Sequence, residues 1–369
     1  MESSMSLEER HQRLGARFTE IAGRPVPRNY GDPAAEYDAV RKAAGVIDRG
    51  DRAFVRVTGR DPVRMVQGLV TNDVAGAAEG QGVYAAILTP KGKMVGDVRV
   101  FRRPGNELLL DLDVRARDGV LAHLKKFVPP LFARFEDVTD TLGAVGIHGP
   151  RAREIVGAAL GAEFAQEMEE DASVDVPFEG VDVILARTEV TGGDGYDVIA
   201  PREMLGRVWD ALVDAGARPF GHATLEVLRI EAGRPRWGAE LDETVIPIEA
   251  GLQHRAISQT KGCYTGQEVI IRILHRGRVN WHLRGVKLGD APAPAPGLEL
   301  FREGVDKAVG RITSACHSPI HEQTVALAYV RREVVPPATL RLGAPDGPEV
   351  TVHELPIPPL RKTLHQHTI

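Results

Sequence analysis

A chain of 369 residues exceeds the roughly 250 to 300 at which one hydrophobic core stops growing, so two or three domains are expected. With 43% hydrophobic residues, 26% charged residues and a formal net charge of -5, it reads as globular, which excludes disorder over most of its length and gives no global reason to expect nucleic-acid binding. No stretch approaches the roughly 20 apolar residues of a membrane span, and the segment MESSMSLEERHQRLGARF lacks the apolar centre of a secretory signal, so a cytoplasmic protein without a membrane partner is expected. Two cysteines, Cys263 and Cys316, cannot supply a disulfide framework, a four-cysteine zinc site or a self-contained cluster site.

In chain order, residues 54–58 read as a strand, and Asp61-Pro62 opens a helix with Val63, Val66 and Val70 inward. Residues 83–89 and 94–101 are strands parted only by Pro90, Lys91 and Gly92, which predicts a hairpin and so antiparallel pairing. A strand over 107–113 follows, then a helix over 150–160 stopped by Gly161, then strands over 181–187 and 196–200. Residues 201–216 place Pro201 in a first turn, Leu205, Val208, Trp209, Leu212 and Val213 on one stripe, and Gly216 as a stop. The pattern is α+β rather than alternating βαβ, and no P-loop run is present. The segment APAPAPG breaks the composition near residue 291, and short β-type runs at 308–313, 325–330, 340–342 and 350–353 predict a small C-terminal β domain beginning near residue 276. The tail RKTLHQHTI reads as frayed, its two histidines solvated.

The densest group of polar residues and glycines spans 228–252 and continues into KGCYTGQE at 261–268, with Arg229, Glu231, Glu240, Glu249 and Glu268 as fixed polar groups. Either a ligand site or an ion-pair network between loops accounts for it, since buried charges must be paired. Asp97 interrupts an apolar strand, where it faces either solvent or a pocket in which it could hold an amine or accept its proton. Asp197 poses the same choice, and a carboxylate can accept the paired N–H groups of a pterin edge. Cys263 sits in a glycine-flanked loop two residues from Lys261, whose ammonium would favour the reactive thiolate; Cys316 is assigned a structural role. Arg272, His275, Arg276, Arg278 and Arg284 form a basic stretch read as a solvated face or a site for an anionic tail.

From about residue 10 to 335, the segments VRKAAGVIDRG, LVTNDV, GKMVGDVRVF, GIHGPRAREIV, RTEVTGGDGYDVIAP, LRIEAGRPRWGAELDETVIPIEAGL and GRITSACHSP resemble, in that order, the superfamily that unites the glycine-cleavage T-protein (aminomethyltransferase, GcvT-like) with the folate-binding YgfZ proteins of iron–sulfur cluster maintenance. The resemblance implies an α+β, GcvT-like ring of two interleaved mixed domains, 1–50 with 140–222 and 51–139 with 223–275, and a C-terminal β-barrel over 276–369. It implies a central pocket for tetrahydrofolate or a one-carbon derivative. By motif, Tyr84 and Arg229 match folate-contacting residues, Asp97 matches the acid that assists aminomethyl transfer, and Asp197 stands where T-proteins carry a pterin-holding glutamate, one methylene longer. KGCYTGQE matches the YgfZ signature, which makes Cys263 the functional thiol; the run from Glu189 to Gly195 lacks a tyrosine and an acid of the T-protein loop. The expectation is a monomeric folate-binding protein that serves iron–sulfur client proteins, with aminomethyl transfer from a lipoyl carrier protein as the alternative.

Overall fold

The computed structural model describes residues 5–161 and 168–358; the tail read as frayed lies outside them. Alternation along the strands sets the architecture. In Met94–Arg103, Val98 and Val100 turn to one face and join Leu110, Leu112, Val120 and Leu124 in a core, while Phe101 falls on the opposite face with Asp97 and Arg99. In Gly195–Pro201, Tyr196, Val198 and Ala200 pack under the helices Ala152–Leu160 and Leu205–Asp214, and Asp197 and Ile199 turn the other way. The two remaining faces meet, with Phe54, Phe101 and Leu109 of one sheet against Ala144, Ile184 and Ile199 of the other.

The first sheet runs in the order Ser173–Phe178, Val181–Arg187, Gly195–Pro201, Leu142–His148, Gly45–Asp48, Arg218–Pro219. The second runs Gly82–Leu88, Met94–Arg103, Glu107–Asp113, Arg52–Thr58, Arg134–Asp137, and all of it is inserted in the chain between Gly45–Asp48 and Leu142–His148 of the first. The predicted hairpin forms, with Gly92 at a φ of +73° in its turn. Pro201 differs from its reading: it ends a strand paired with Leu142, and the helix starts at Leu205 after a short turn over Arg202–Met204.

The barrel closes in the order Trp281–Gly289, Gln323–Arg331, Ala308–Ser318, Glu299–Phe301, Ala338–Leu342, Glu349–His353. APAPAPG falls in the loop between Trp281–Gly289 and Glu299–Phe301. No helix of the described residues is long and apolar enough to cross a membrane.

The helix His222–Glu231, which strand-like patterning did not reveal, packs on the barrel strand Ala308–Ser318 through buried charge. Arg229, 2% exposed, donates from Nε to Glu226 at 2.8 Å, from Nη1 to Glu240 at 2.7 Å and to the Arg234 carbonyl at 3.2 Å, and from Nη2 to Ser314 Oγ at 2.6 Å, with a second contact from Nη2 to Glu226. All five guanidinium N–H groups are thereby used. Ser314 Oγ and Thr313 Oγ1 in turn donate to Glu240 at 2.6 and 2.8 Å, and two residues after Arg229, Glu231 accepts from the Tyr37 hydroxyl at 3.0 Å and pairs with Arg41. The polar density of this part of the sequence is therefore an ion-pair network that fastens a helix to the barrel.

Two outcomes follow for stability. Arg229→Met strands Glu240, which is 0% exposed, and should cost about 3–5 kcal/mol in urea denaturation. A Cβ at Gly221 would stand 2.2 Å from the Arg28 carbonyl oxygen and 2.6 Å from Asn29 N, so Gly221→Ala must push back the hairpin Arg17–Ile21/Arg24–Asn29, at roughly 1–3 kcal/mol measured the same way.

Candidate functional site

Where the two sheets, the helix and the barrel meet they leave a cavity of about 500 Å³, lined by Tyr84, Asp97, Arg99 and Arg52 from one sheet, Leu225 and Val227 from the helix, Trp237 from the loop after it, Cys316 from the barrel and Thr19 and Ile21 from the N-terminal hairpin. That is the size of a small-molecule site.

Its inner wall is a lattice of alternating charge. Arg49 donates to Asp51 (Nε, 2.9 Å; Nη2, 3.2 Å) and to Asp197 (Nη1, 2.9 Å). Arg99 donates to Asp197 from Nη2 at 2.6 Å and to Asp111 from Nε at 2.7 Å, and Arg52 closes the series with Nε on the other oxygen of Asp111 at 2.7 Å. Three arginines and three aspartates thus neutralise one another across both sheets, as buried charges require. Burial alone would raise the Asp197 carboxyl, but Arg49 and Arg99 overcome it and hold it at about 2.

Asp97 is treated differently. Tyr84 donates its hydroxyl to Oδ2 at 3.1 Å, and the buried Oδ1 has no protein partner. Burial pushes the carboxyl above its usual range; Arg52 opposes the rise and Asp113 adds to it. Tyr84 is itself clamped. The Arg255 guanidinium lies 4.0 Å from the centre of its ring and is fixed by Asp171 at 2.9 and 2.7 Å, while Asn72 Nδ2 donates to both the Tyr84 and Arg255 carbonyls, at 2.8 and 3.1 Å.

Of the residues singled out in the sequence, Tyr84, Asp97, Asp197 and Arg229 all line this cavity, and Cys263 does not. Asp197 and Arg229 come to it already occupied. The Asp197 side chain is 1% exposed with an arginine on each oxygen, and Arg229 has no N–H left for a ligand. Cys263 is exposed on its loop, and Lys261 does not donate to it: the ammonium donates to the carbonyls of Gln67, Val70 and Asn72 at 2.6, 2.6 and 2.9 Å, which uses all three of its protons. Burial draws that lysine down to about 8. Cys316 borders the cavity, but burial, reinforced by Glu231 and Glu226, pushes its thiol up to about 12 and keeps it protonated. The basic stretch lies outside the cavity, Arg272, His275, Arg276 and Arg278 being exposed and Arg284 paired with Glu354 at 3.1 Å. Among the described residues no cluster suits a metal ion.

Arg49, Arg52, Arg99, Asp111 and Arg255 were not anticipated. The signal was present in part: like Asp97, Arg99 and Asp111 are charges within otherwise apolar strands, spaced to fall on one face.

Comparison with known proteins agrees with this arrangement. Residues 7–261 match the GCVT N-terminal domain and residues 282–353 the glycine cleavage T-protein C-terminal barrel domain. An aminomethyltransferase of Rubrobacter xylanophilus is 32% identical over 95% of this chain and 91% of its own length, and one of Saccharopolyspora erythraea is 31% identical over 96% and 97%. The crystal structure of the glycine cleavage system aminomethyltransferase T from Bartonella henselae superposes with a TM-score of 0.85 over 95% of this chain and 97% of that one at 22% identity, a likeness of fold. These relatives carry the aminomethyltransferase name and not that of the YgfZ branch which KGCYTGQE suggests. The chain belongs to the GcvT family, that of the glycine-cleavage T-proteins.

Proposed function

We propose that this protein is an aminomethyltransferase that moves a one-carbon unit from the aminomethyl group of a lipoyl carrier protein to tetrahydrofolate, with release of ammonia and return of the carrier's sulfur as a free thiol. The observation that carries the reading is Asp97: a cavity-lining carboxylate with one oxygen fixed by Tyr84 and the other free of protein partners. The cavity suits a reduced folate at this end, since Tyr84, Trp237, Leu225 and Val227 offer aromatic and apolar surface to a flat ring system beside that free acceptor. Asp197 and Arg229 support such a ligand indirectly, by holding Arg49, Arg99 and the helix in place. Tetrahydrofolate, when bound, supplies the nitrogen atoms that take up the one-carbon unit. The Asp97 carboxylate accepts a hydrogen bond from the substrate amine and orients it, and the Tyr84 hydroxyl keeps that carboxylate from turning away. Burial raises this carboxyl toward the range in which a group can both accept and return a proton, which suits it to general acid–base work.

Purified protein mixed with aminomethylated carrier and tetrahydrofolate should release ammonia, and no release sinks the reading. Asp97→Asn should lower kcat by about 10²- to 10⁴-fold. Because the folded state holds the Asp97 proton more tightly than the unfolded chain, the ionised residue costs stability once pH rises through its folded value. The same variant should therefore melt no lower than the parent at neutral pH, and the acid limb of the parent's rate profile should lie above the ordinary carboxylate range.

A second reading, iron–sulfur maintenance, is favoured by KGCYTGQE and by the solvent exposure of Cys263 away from the cavity. Cys263→Ala should leave ammonia release unchanged; if it also fully rescues cells lacking the native protein, the second reading is lost.

A further inference from the structure

Lys261 belongs to the KGCYTGQE run, and the transfer reading leaves it without a task. It is buried, and its ammonium enters the loop that follows the helix Pro62–Gln67, where the carbonyls of Gln67, Val70 and Asn72 converge on it. Carbonyl dipoles aimed at one point repel one another, so a loop of this shape needs a donor at its centre. The lysine ammonium suits it, having three N–H donors and no acceptor. Burial works against the charge and Asp73 favours it.

The caged loop leads to the site through the strand Gly82–Leu88, which carries Tyr84 and lies at the edge of its sheet. One side of that strand therefore has no strand to hold it, and residues 70–72 take that place. Val70 bridges to Ile87, the Thr71 N–H donates to the Ala86 carbonyl at 3.0 Å, and Thr71 Oγ1 accepts from the Ala86 N–H at 2.8 Å. Asn72 Nδ2 donates to the Tyr84 carbonyl itself at 2.8 Å. The same three residues fasten the segment of Arg255. Asn72 Nδ2 reaches the Arg255 carbonyl at 3.1 Å, Thr71 Oγ1 donates to the Ala256 carbonyl at 2.6 Å, and the Thr71 carbonyl accepts from the Ser258 N–H at 3.0 Å. Tyr84 is thus held at its backbone by Asn72 and over its ring by Arg255, and both holds begin in a loop closed round one ammonium.

We propose that Lys261 is a positioning residue of the cavity: by organising residues 67–72 it sets Tyr84, and with Tyr84 the Asp97 carboxylate that the phenol holds. The lysine touches neither side chain and acts through the loop and the strand edge. For its effect on turnover the inference rests on the transfer proposed above; for the placement of Tyr84 it does not.

The chain has 6 tyrosines, and fluorotyrosine labelling of the full-length protein turns each into a fluorine NMR reporter, assigned by its replacement with Phe. Near neutral pH, Lys261→Met should shift the resonance of Tyr264, whose ring centre lies 5.1 Å from the ammonium, and that of Tyr84 as well. Tyr37 and Tyr196, which pack in the cores around Phe220 and Trp209, should stay in place. A shift of Tyr264 without Tyr84 overturns the proposal, and so does a shift of all the tyrosines together, which would make the lysine a general support of the fold. Should Lys261→Met not fold, Lys261→Gln keeps two N–H donors for the loop, and the same pattern with a smaller shift of Tyr84 is expected. In the ammonia-release assay Lys261→Met should lower kcat about 10- to 100-fold with little change in KM for the carrier, and a parent-like kcat despite a displaced Tyr84 also overturns the role. If the parent itself releases no ammonia, the transfer reading fails and the tyrosine pattern still decides this one.

Discussion

Arg99 holds this molecule together at its centre. Its guanidinium joins Asp111 of its own sheet to Asp197 of the facing sheet, next to the apolar contact of Phe54, Phe101 and Leu109 with Ile184 and Ile199. Hydrophobic burial favours the approach of the two sheets but has little directional preference. A planar fork with fixed donors does have one, and it sets how the sheets face each other. Its position in the sequence is a matter of period: in a strand with Val98 and Val100 on the core side, residues 97, 99 and 101 must fall on the other face, and the sheet-to-sheet gap receives an acid, a base and an aromatic in succession.

Buried charge serves a second junction by the same means. The helix His222–Glu231 has ordinary apolar residues toward Tyr37, Val40 and Phe220, but toward the barrel it presents Arg229 and Glu231, which engage Glu240, Ser314 and Ser318. Such pairs add little net stability over a well-packed apolar contact, yet removing one partner is costly, so they select one docking geometry more than they deepen it. The cavity is what remains between two junctions specified in this way, and its walls are correspondingly rich in side chains whose donors and acceptors are already spent.

That distinction explains what could be read from the sequence and what could not. Local signals sufficed for the hairpin around Gly92, for the strand Glu107–Asp113, for the helix ended by Gly161 and for a C-terminal β domain, because each rests on period or on a turn residue. Order and spacing of motifs brought Tyr84, Asp97, Asp197 and Arg229 to one place. Whether each had a free valence was not legible, since the answer lies far along the chain: Asp197 meets Arg49 from 148 residues away and Arg99 from 98, and Arg229 meets Ser314 from 85. Where the Lys261 ammonium goes was hidden for the same reason. Two residues from Cys263 in sequence, it is drawn inward by carbonyls of residues 67, 70 and 72, some 190 positions earlier.

Asp97 escapes this general saturation through its neighbours. On the face it shares, Asp111 lies between Arg52 and Arg99, Asp197 between Arg49 and Arg99, and Asp113 takes Arg115 at 2.8 and 2.7 Å. The contact left for Asp97 is a neutral phenol, and the nearest acid is one more negative charge. A carboxylate that gains one neutral hydrogen bond while losing its water is held above its ordinary range, whereas Asp197, between two guanidiniums, is held below it. Among these acids of the two facing sheets, the one denied a guanidinium is the one whose carboxylate is not already spent on a protein cation, which is what the proposed transfer asks of it.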